Sequence, residues 1–271
     1  MNKDIQDICA YRNYNEKHTH IMGILNVTPD SFSDGGRYNN KEAALKHALE
    51  MINDGADIID IGGESTRPGY TMISDEEEIE RVCPIIEKIK KETDIVISLD
   101  TYKSKVAKAG LASGADLIND IWGLKYDPEM ASVIADANVA CCLMHNRDID
   151  KNPYSDFMTD YINDMKECVR LAHKAGISDD KIILDPGVGF GKDYTQNLQV
   201  IKYLDRLSDM GYPVLLGTSR KSVVGLTLDL PKDERVEGTV ATSVIGALNH
   251  CMFVRVHDVK ENYCLLYTSD A

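Results

Sequence analysis

The sequence predicts a single (β/α)8 barrel domain over residues 1–271, and three observations carry that prediction. Short apolar runs, mostly β-branched residues or Leu, recur eight times, as buried parallel strands do when both faces are covered. Helical segments alternate with these runs through short connections, the pattern of a parallel sheet. Nearly every run ends on a polar residue, and in such barrels the chemistry hangs on the carboxyl ends of the strands.

Strand one is read over residues 20–25 and ends on Asn26; in the helix after it, residues 41–53, Ala44, Leu45, Ala48, Leu49 and Ile52 share one face. Strand two, residues 57–61, runs into Gly62-Gly63-Glu64-Ser65-Thr66-Arg67. Its helix, residues 75–91, opens on Ser74 as N-cap, with Glu77 three places on, and carries Ile79, Val82, Ile85, Ile86 and Ile89. Strand three, residues 95–99, ends on Asp100; strand four, 116–118, on Asn119; strand five, 139–144, on His145; strand six, 181–184, on Asp185. Strand seven, 212–216, leads to Gly217 with Lys221 just beyond, and strand eight, 252–254, to Arg255 and His257. Further helices are expected over 104–111, 128–137, 156–175, 196–209 and 235–249, with Gly55, Gly114, Gly176 and Gly211 just past helix ends. A doubly wound sheet shares this alternation, but polar residues at nearly all strand ends favour closure.

At 271 residues one barrel accounts for the whole chain, since such barrels run to about 250 residues. The start has no apolar leader segment and no stretch approaches a membrane span. Seven cysteines form no Cys-x-x-Cys and include buried-strand positions, so reduced thiols in a cytoplasmic protein are expected. The net charge of −14 argues against nucleic acid or anionic lipid as partner. An anionic substrate would need a local basic site, and Lys221, Arg255 and His257 could supply it.

Asp100 and Asp185 both point towards the barrel mouth in this reading. Two carboxylates with the Asn119 carboxamide suit a flat heterocycle with several N–H donors, because a carboxylate accepts two parallel N–H bonds. Either Asp could instead cap a following helix, although the Pro186-Gly187-Val188-Gly189 that follows Asp185 is a poor helix start. Arg255 and His257 alternate with Val256 and so share one face of the strand end, where they make a diphosphate site beside Asn26. Lys221 and Arg255 could equally be surface ion-pair residues, and His257 with Asp258 could simply start the last helix. Asn26 offers an oxygen to Mg²⁺, which takes few protein ligands when a phosphate supplies the rest. Two loops on the same face, residues 27–36 and 65–69, hold Phe32 and Arg67 among small residues and read as segments that close over substrate. Residues 187–191 are glycine-rich but lack Rossmann spacing and the Walker Lys-Ser/Thr.

Residues 22–36 (Met-Gly-Ile-Leu-Asn-Val-Thr-Pro-Asp-Ser-Phe-Ser-Asp-Gly-Gly) resemble the first signature of the dihydropteroate synthase family, and residues 62–69 (Gly-Gly-Glu-Ser-Thr-Arg-Pro-Gly) its second. Residues 185–192, 217–222 and 255–259 are similar to its later blocks, in the right order from about Met22 to Asn262. The resemblance implies a cytosolic (β/α)8 transferase of folate biosynthesis, a homodimer and the target of sulfonamides. Such an enzyme joins (7,8-dihydropterin-6-yl)methyl diphosphate to 4-aminobenzoate with Mg²⁺, by loss of diphosphate and then arylamine attack. Carried over position by position, it assigns Asp100, Asn119, Asp185 and Lys221 to the pterin ring. Arg255 and His257 hold the diphosphate, with Arg255 also stacking on the pterin, and Asn26 is the Mg²⁺ ligand. Thr66, Arg67, Pro68, Phe32, Phe190 and Ser222 line the aminobenzoate site. Asp100, Lys221, Arg255 and His257 are the catalytic set, the first opposing developing positive charge and the last two stabilising the leaving group.

Residues 263–271 depart from the family's pattern, so the eighth helix is expected to be truncated or atypical, strand eight poorly covered, and the helix-packed dimer interface in question. Two rivals stand beside this reading. A pterin-binding methyltransferase shares the carboxylates but leaves the diphosphate-type residues unexplained. A catalytically silent pterin-binding protein would keep the site without turnover.

Overall fold

The computed structural model describes residues 18–28, 36–65 and 72–269. The chain alternates β1 (His20–Asn26), α1 (Gly36–Asn53), β2 (Ile58–Gly62), α2 (Asp75–Glu92), β3 (Val96–Asp100), α3 (Ser104–Ala112), β4 (Leu117–Asp120) and α4 (Met130–Ala137). It continues through β5 (Ala140–Met144), α5 (Phe157–Ala175), β6 (Ile182–Asp185), α6 (Tyr194–Lys202), α7 (Asp205–Ser208), β7 (Leu215–Leu216), α8 (Ser222–Leu228), α9 (Val236–Leu248), β8 (Phe253–Val256) and α10 (Val259–Ser269). All eight strands are parallel, in the order β6-β5-β4-β3-β2-β1-β8-β7. A parallel bridge between Leu184 and Val214, with Leu184 N–H donating to Pro213 O at 2.9 Å, joins β6 to the entry of β7 and closes the barrel. This disposes of the doubly wound alternative.

Two sets of side chains hold the barrel. The inward set, Met22, Ile58, Val96, Leu117, Ala140, Cys142, Ile183, Leu215 and Phe253, fills the lower interior. The outward set, including Ile21, Leu25, Ile59, Ile61, Ile97, Leu99, Ile118, Leu143, Leu184 and Val254, packs under the helices. Each large apolar side chain so buried contributes about 1.5–3 kcal/mol. Side chains alternate along a strand, so positions two or four beyond the inward apolar layer also face in. They include Asn26, Asp60, Asp100, Asn119, Asp185 and Arg255.

Local chemistry explains most element ends. Ser74 caps α2 by accepting from Glu77 N–H at 3.1 Å, and Val82, Ile85, Ile86 and Ile89 form its buried face. Asp193 and Gln196 form a reciprocal capping box on α6. The expected single helix over 196–209 is two helices. The chain breaks at Tyr203, and the turn brings both Leu204 and Leu207, fully buried, onto the core. Helix α8 escaped the sequence reading because Val223, Val224 and Gly225 are weak helix formers and no side chain caps its start.

The tail also differs from expectation. The eighth barrel helix is short at 11 residues, but the stretch from Tyr263 to Ser269 belongs to it. Val259, Asn262 and Leu266 are buried, and the Tyr263 ring lies so close over Gly55 that a Cβ there would sit 2.0 Å from its Cδ2. Strand eight is therefore not left bare. Cys83, Cys141, Cys142, Cys168 and Cys251 are buried, and Cys264 is exposed. Among the described residues no helix is long and apolar enough to cross a membrane.

Candidate active site

At the carboxyl end of the strands, Arg255 on β8 reaches across the barrel interior. Its Nε donates to Asp60 Oδ2 at 2.6 Å and its Nη2 to Asp100 Oδ2 at 2.7 Å. Asn119 Nδ2 points to the same Asp60 oxygen at 3.4 Å. Burial opposes the guanidinium charge, but Asp60 and Asp100 outweigh it and raise the Arg255 pKa. Burial pushes the Asp100 carboxyl above its ordinary range; Arg255 opposes that shift and Asp60 adds to it. The Oδ1 atoms of Asp60 and Asp100 and the Ser98 hydroxyl are buried with no hydrogen-bond partner. Buried acceptors left this way are costly, and an acceptor at a pocket mouth suits a ligand donor.

Asp185 stands at the end of β6, 4 % exposed. Its Oδ1 accepts the Gly187 N–H at 2.6 Å, so it caps a turn rather than a helix. Only glycine serves at 187: φ is +66°, and a Cβ would lie 1.9 Å from His145 O. Burial raises the Asp185 pKa, and Lys221 is the chief opposing charge. Asp185 Oδ2, Lys221 Nζ and Arg255 Cβ all lie 3.8 Å from where a Cβ on Gly217 would stand, so this glycine marks where the three meet. Lys221 Nζ donates to Val188 O at 2.6 Å and sits 5.0 Å from the centre of the Phe190 ring. Burial lowers its pKa to about 8, with Asp185 pulling the other way. Ser222 is exposed at the start of α8, beside a cleft lined by Gly225, Leu226 and Arg235.

His257 follows β8. Its backbone N–H donates to Ser219 Oγ at 3.1 Å, and its ring Nδ1 lies 3.0 Å from the same oxygen. In the tautomer with the ring proton on Nε2, the Ser219 hydroxyl donates to Nδ1 and the Nε2–H is left for an acceptor. Burial, then Arg255 and Arg220, lower the His257 pKa to about 3, so the ring is neutral at ordinary pH. The turn carrying Ser219 and Lys221 is pinned by Arg220, a non-glycine residue at φ 57° that pairs through both Nε and Nη2 with Asp258.

The loop after β6 has its own brace. Lys192 Nζ meets His145 Nδ1 at 2.7 Å, Gly187 O at 2.9 Å and Phe190 O at 3.0 Å, and burial lowers its pKa while Asp185 opposes the shift. His145 Nε2 is in turn 3.1 Å from Asp164 Oδ2, which also accepts from Arg147 Nε at 2.8 Å. A second buried network holds the two ends of the second loop. Glu64 accepts from Tyr102 Oη, Lys103 Nζ and Ile73 N–H, and Lys103 also reaches Ile73 O and Glu78.

The structure thus brings Asp100, Asn119, Asp185, Lys221, Arg255, His257 and Phe190 to one end of the barrel, with Ser222 beside Lys221. Phe32, Thr66, Arg67 and Pro68 lie outside the described residues. Asn26 also ends its strand here, and a Cβ on Gly62 would stand 3.7 Å from both Asn26 Oδ1 and Asp100 Oδ2, so the two oxygens flank the same glycine. A neutral carboxamide oxygen at a strand end fits a hard cation that draws its other ligands from water and phosphate. Sequence reasoning missed Asp60, Ser219, Arg220 and Lys192. For Asp60 the signal was available: a carboxylate inside an apolar strand, on the inward alternation.

A model of the pterin binding enzyme family matches residues 22–257. The dihydropteroate synthase of Clostridium beijerinckii is 61 % identical over 247 residues, covering 91 % of this chain and 91 % of that protein. That of Bacillus subtilis is 56 % identical over 248 residues, covering 92 % and 86 %. The crystal structure of dihydropteroate synthase from Clostridium difficile in the presence of pteroic acid superposes with a TM-score of 0.90 at 51 % identity, covering 94 % of this chain and 96 % of that one. The Xanthomonas albilineans dihydropteroate synthase in complex with 7,8-dihydropteroate gives 0.85 at 39 % identity, covering 93 % and 92 %.

Proposed function

Because this chain belongs to the pterin-binding enzyme family, as a dihydropteroate synthase, we propose that its barrel mouth joins (7,8-dihydropterin-6-yl)methyl diphosphate to 4-aminobenzoate. It is a transferase of folate biosynthesis whose product is 7,8-dihydropteroate. The observation that carries our assignment of the site is the pair of inward carboxylates, the buried Asp185 and the largely buried Asp100, at one end with Lys221 and Asn119.

In the proposed pose the pterin's amino and ring N–H groups donate to Asp185 and its carbonyl accepts from Lys221, while Asn119 and Asp100 Oδ1 take the remaining polar edge. The bond from the pterin methylene to the diphosphate oxygen breaks first, and the diphosphate keeps the electron pair. Asp100 and Asp185 oppose the positive charge left on the pterin-methyl group. Arg255, with Nε and Nη2 committed to carboxylates, presents its remaining edge and guanidinium face, and His257 donates from Nε2 to the leaving group. The aminobenzoate nitrogen then forms the new C–N bond and loses a proton. Asn26 is the residue placed to hold Mg²⁺, which when bound would neutralise diphosphate charge. Phe190 and Ser222, with Phe32, Thr66, Arg67 and Pro68, are assigned to the aminobenzoate side. Formation of dihydropteroate from the two substrates, with and without Mg²⁺, tests this function; methyl transfer from methyltetrahydrofolate would favour the methyltransferase reading instead.

The Lys221 assignment has a pH signature. Its ammonium is charged below a pKa of about 8 and loses its proton above it. Since kcat/KM reports the free enzyme, kcat/KM for the pterin substrate is expected to fall as pH rises through that value. Lys221→Met should lower activity and remove this limb; a wild-type profile flat to pH 10 would contradict the role.

We place the protein in the cytoplasm as a homodimer. Ile245 and Leu248 on α9 and Leu265 on α10 are exposed apolar residues on packed neighbouring helices. Leu248→Glu is expected to shift the sedimentation coefficient towards that of a monomer, whereas a wild-type monomer at micromolar concentration would dismiss the dimer.

A further inference from the structure

The opposite end of the barrel carries a second cluster. There β1 begins and the chain enters β2, and one ligand atom from each of His18, His20 and Asp57 lies within 4.8 Å of the other two. His20 Nδ1 is 3.4 Å from Asp57 Oδ2, yet it is buried and makes no hydrogen bond. The two imidazoles meet edge to face, with ring centroids 5.1 Å apart at 89°. They share one side of the extended chain because Thr19 turns away and donates to Cys251 O at 3.0 Å.

The cluster is held in place by contacts of its own. Asp57 Oδ2 accepts the Ile21 N–H at 3.0 Å, and Asp57 N–H donates to Ile21 O at 2.8 Å, so the carboxylate is fixed to β1 by the main chain. The His20 ring rests against Phe253, at a centroid distance of 5.8 Å. Two imidazoles and one carboxylate are a borderline-soft donor set, suited to zinc and its neighbours rather than to Mg²⁺. Around a tetrahedral ion with ligand bonds of about 2 Å, neighbouring donor atoms stand roughly 3.3 Å apart. The His20–Asp57 spacing already matches, and side-chain rotation of His18 closes the rest.

We propose that His18, His20 and Asp57 bind a divalent transition metal of the zinc class at the barrel floor, with water in the fourth position. The site is separate from the Mg²⁺ position assigned to Asn26, because the two lie at opposite ends of the parallel strands. Its effect is structural: it ties the segment entering β1 to the β1–β2 seam, and metal that binds only the folded chain raises its melting temperature.

The test uses the full chain, stripped with chelator and titrated with Zn²⁺ by calorimetry and with Co²⁺ by visible absorption. One equivalent is expected per chain, with the intense visible bands of tetrahedral Co²⁺ and a higher Tm. His20→Ala, His18→Ala and Asp57→Asn should each weaken binding by more than the roughly 10–100-fold that outer-sphere changes cost, with dihydropteroate formation unchanged. His18 precedes the first strand, so His18→Ala keeps the test decisive if a strand variant fails to fold. Binding still unsaturated at millimolar metal, octahedral Co²⁺ bands, or affinity unchanged in His18→Ala would each overturn the proposal.

Discussion

Asp185→Asn is expected to weaken binding of the pterin substrate by about 2–4 kcal/mol, roughly 30- to 800-fold. Asp185 Oδ1 is held by the Gly187 N–H at 2.6 Å, and an asparagine at this position keeps that bond with its own oxygen. Its amide N–H2 then occupies the place of Oδ2, facing the pterin donors and the Lys221 ammonium. An acceptor becomes a donor in a buried site, and both partners are left mismatched. Titration calorimetry with the pterin substrate measures the effect; unchanged affinity would remove Asp185 from the site.

The second large effect is expected at Asp60, which touches no substrate in the proposed pose. Asp60→Leu removes the carboxylate that holds Arg255 Nε and faces Asn119. Breaking one partner of a buried ion pair costs about 3–5 kcal/mol, a large share of a typical stability of about 5–15 kcal/mol. Asp60→Asn retains an acceptor and should fold more stably than Asp60→Leu, yet allow Arg255 to swing towards Asp100. Its kcat should fall while KM for 4-aminobenzoate holds, because Arg255 is aimed at the diphosphate. Thermal unfolding and steady-state kinetics on both variants separate the two effects. Normal kcat in Asp60→Asn would mean that Asp100 alone positions the guanidinium.

Most of the fold was legible because its signals are local. A parallel strand buried on both faces announces itself as a β-branched run, and Ser74 or Asp156 marks a helix start by its own hydrogen bond. The polar residues at strand ends were legible for the same reason. What stayed hidden depends on register or on distant partners. Asp60 read as one residue in an apolar run, and its role emerges only when β2 is set against β3 and β8 closes the ring. The pairing of Ser219 with His257 joins positions 38 apart, and that of Lys192 with His145 joins positions 47 apart. No periodicity links such residues. The split of the 196–209 segment and the helical tail were misread because tertiary burial of Leu204, Leu207 and Leu266 decided them.

In the proposed site this end of the barrel binds the pterin ring through Asp100, Asn119, Asp185 and Lys221. A crystal structure of the protein with a bound pterin tests it most directly. The expected structure has the ring's amino-amidine edge on the Asp185 carboxylate, its carbonyl on Lys221 Nζ, and its face against Arg255. A pterin bound elsewhere, or bound at this mouth with no contact to Asp185 and Lys221, would contradict it.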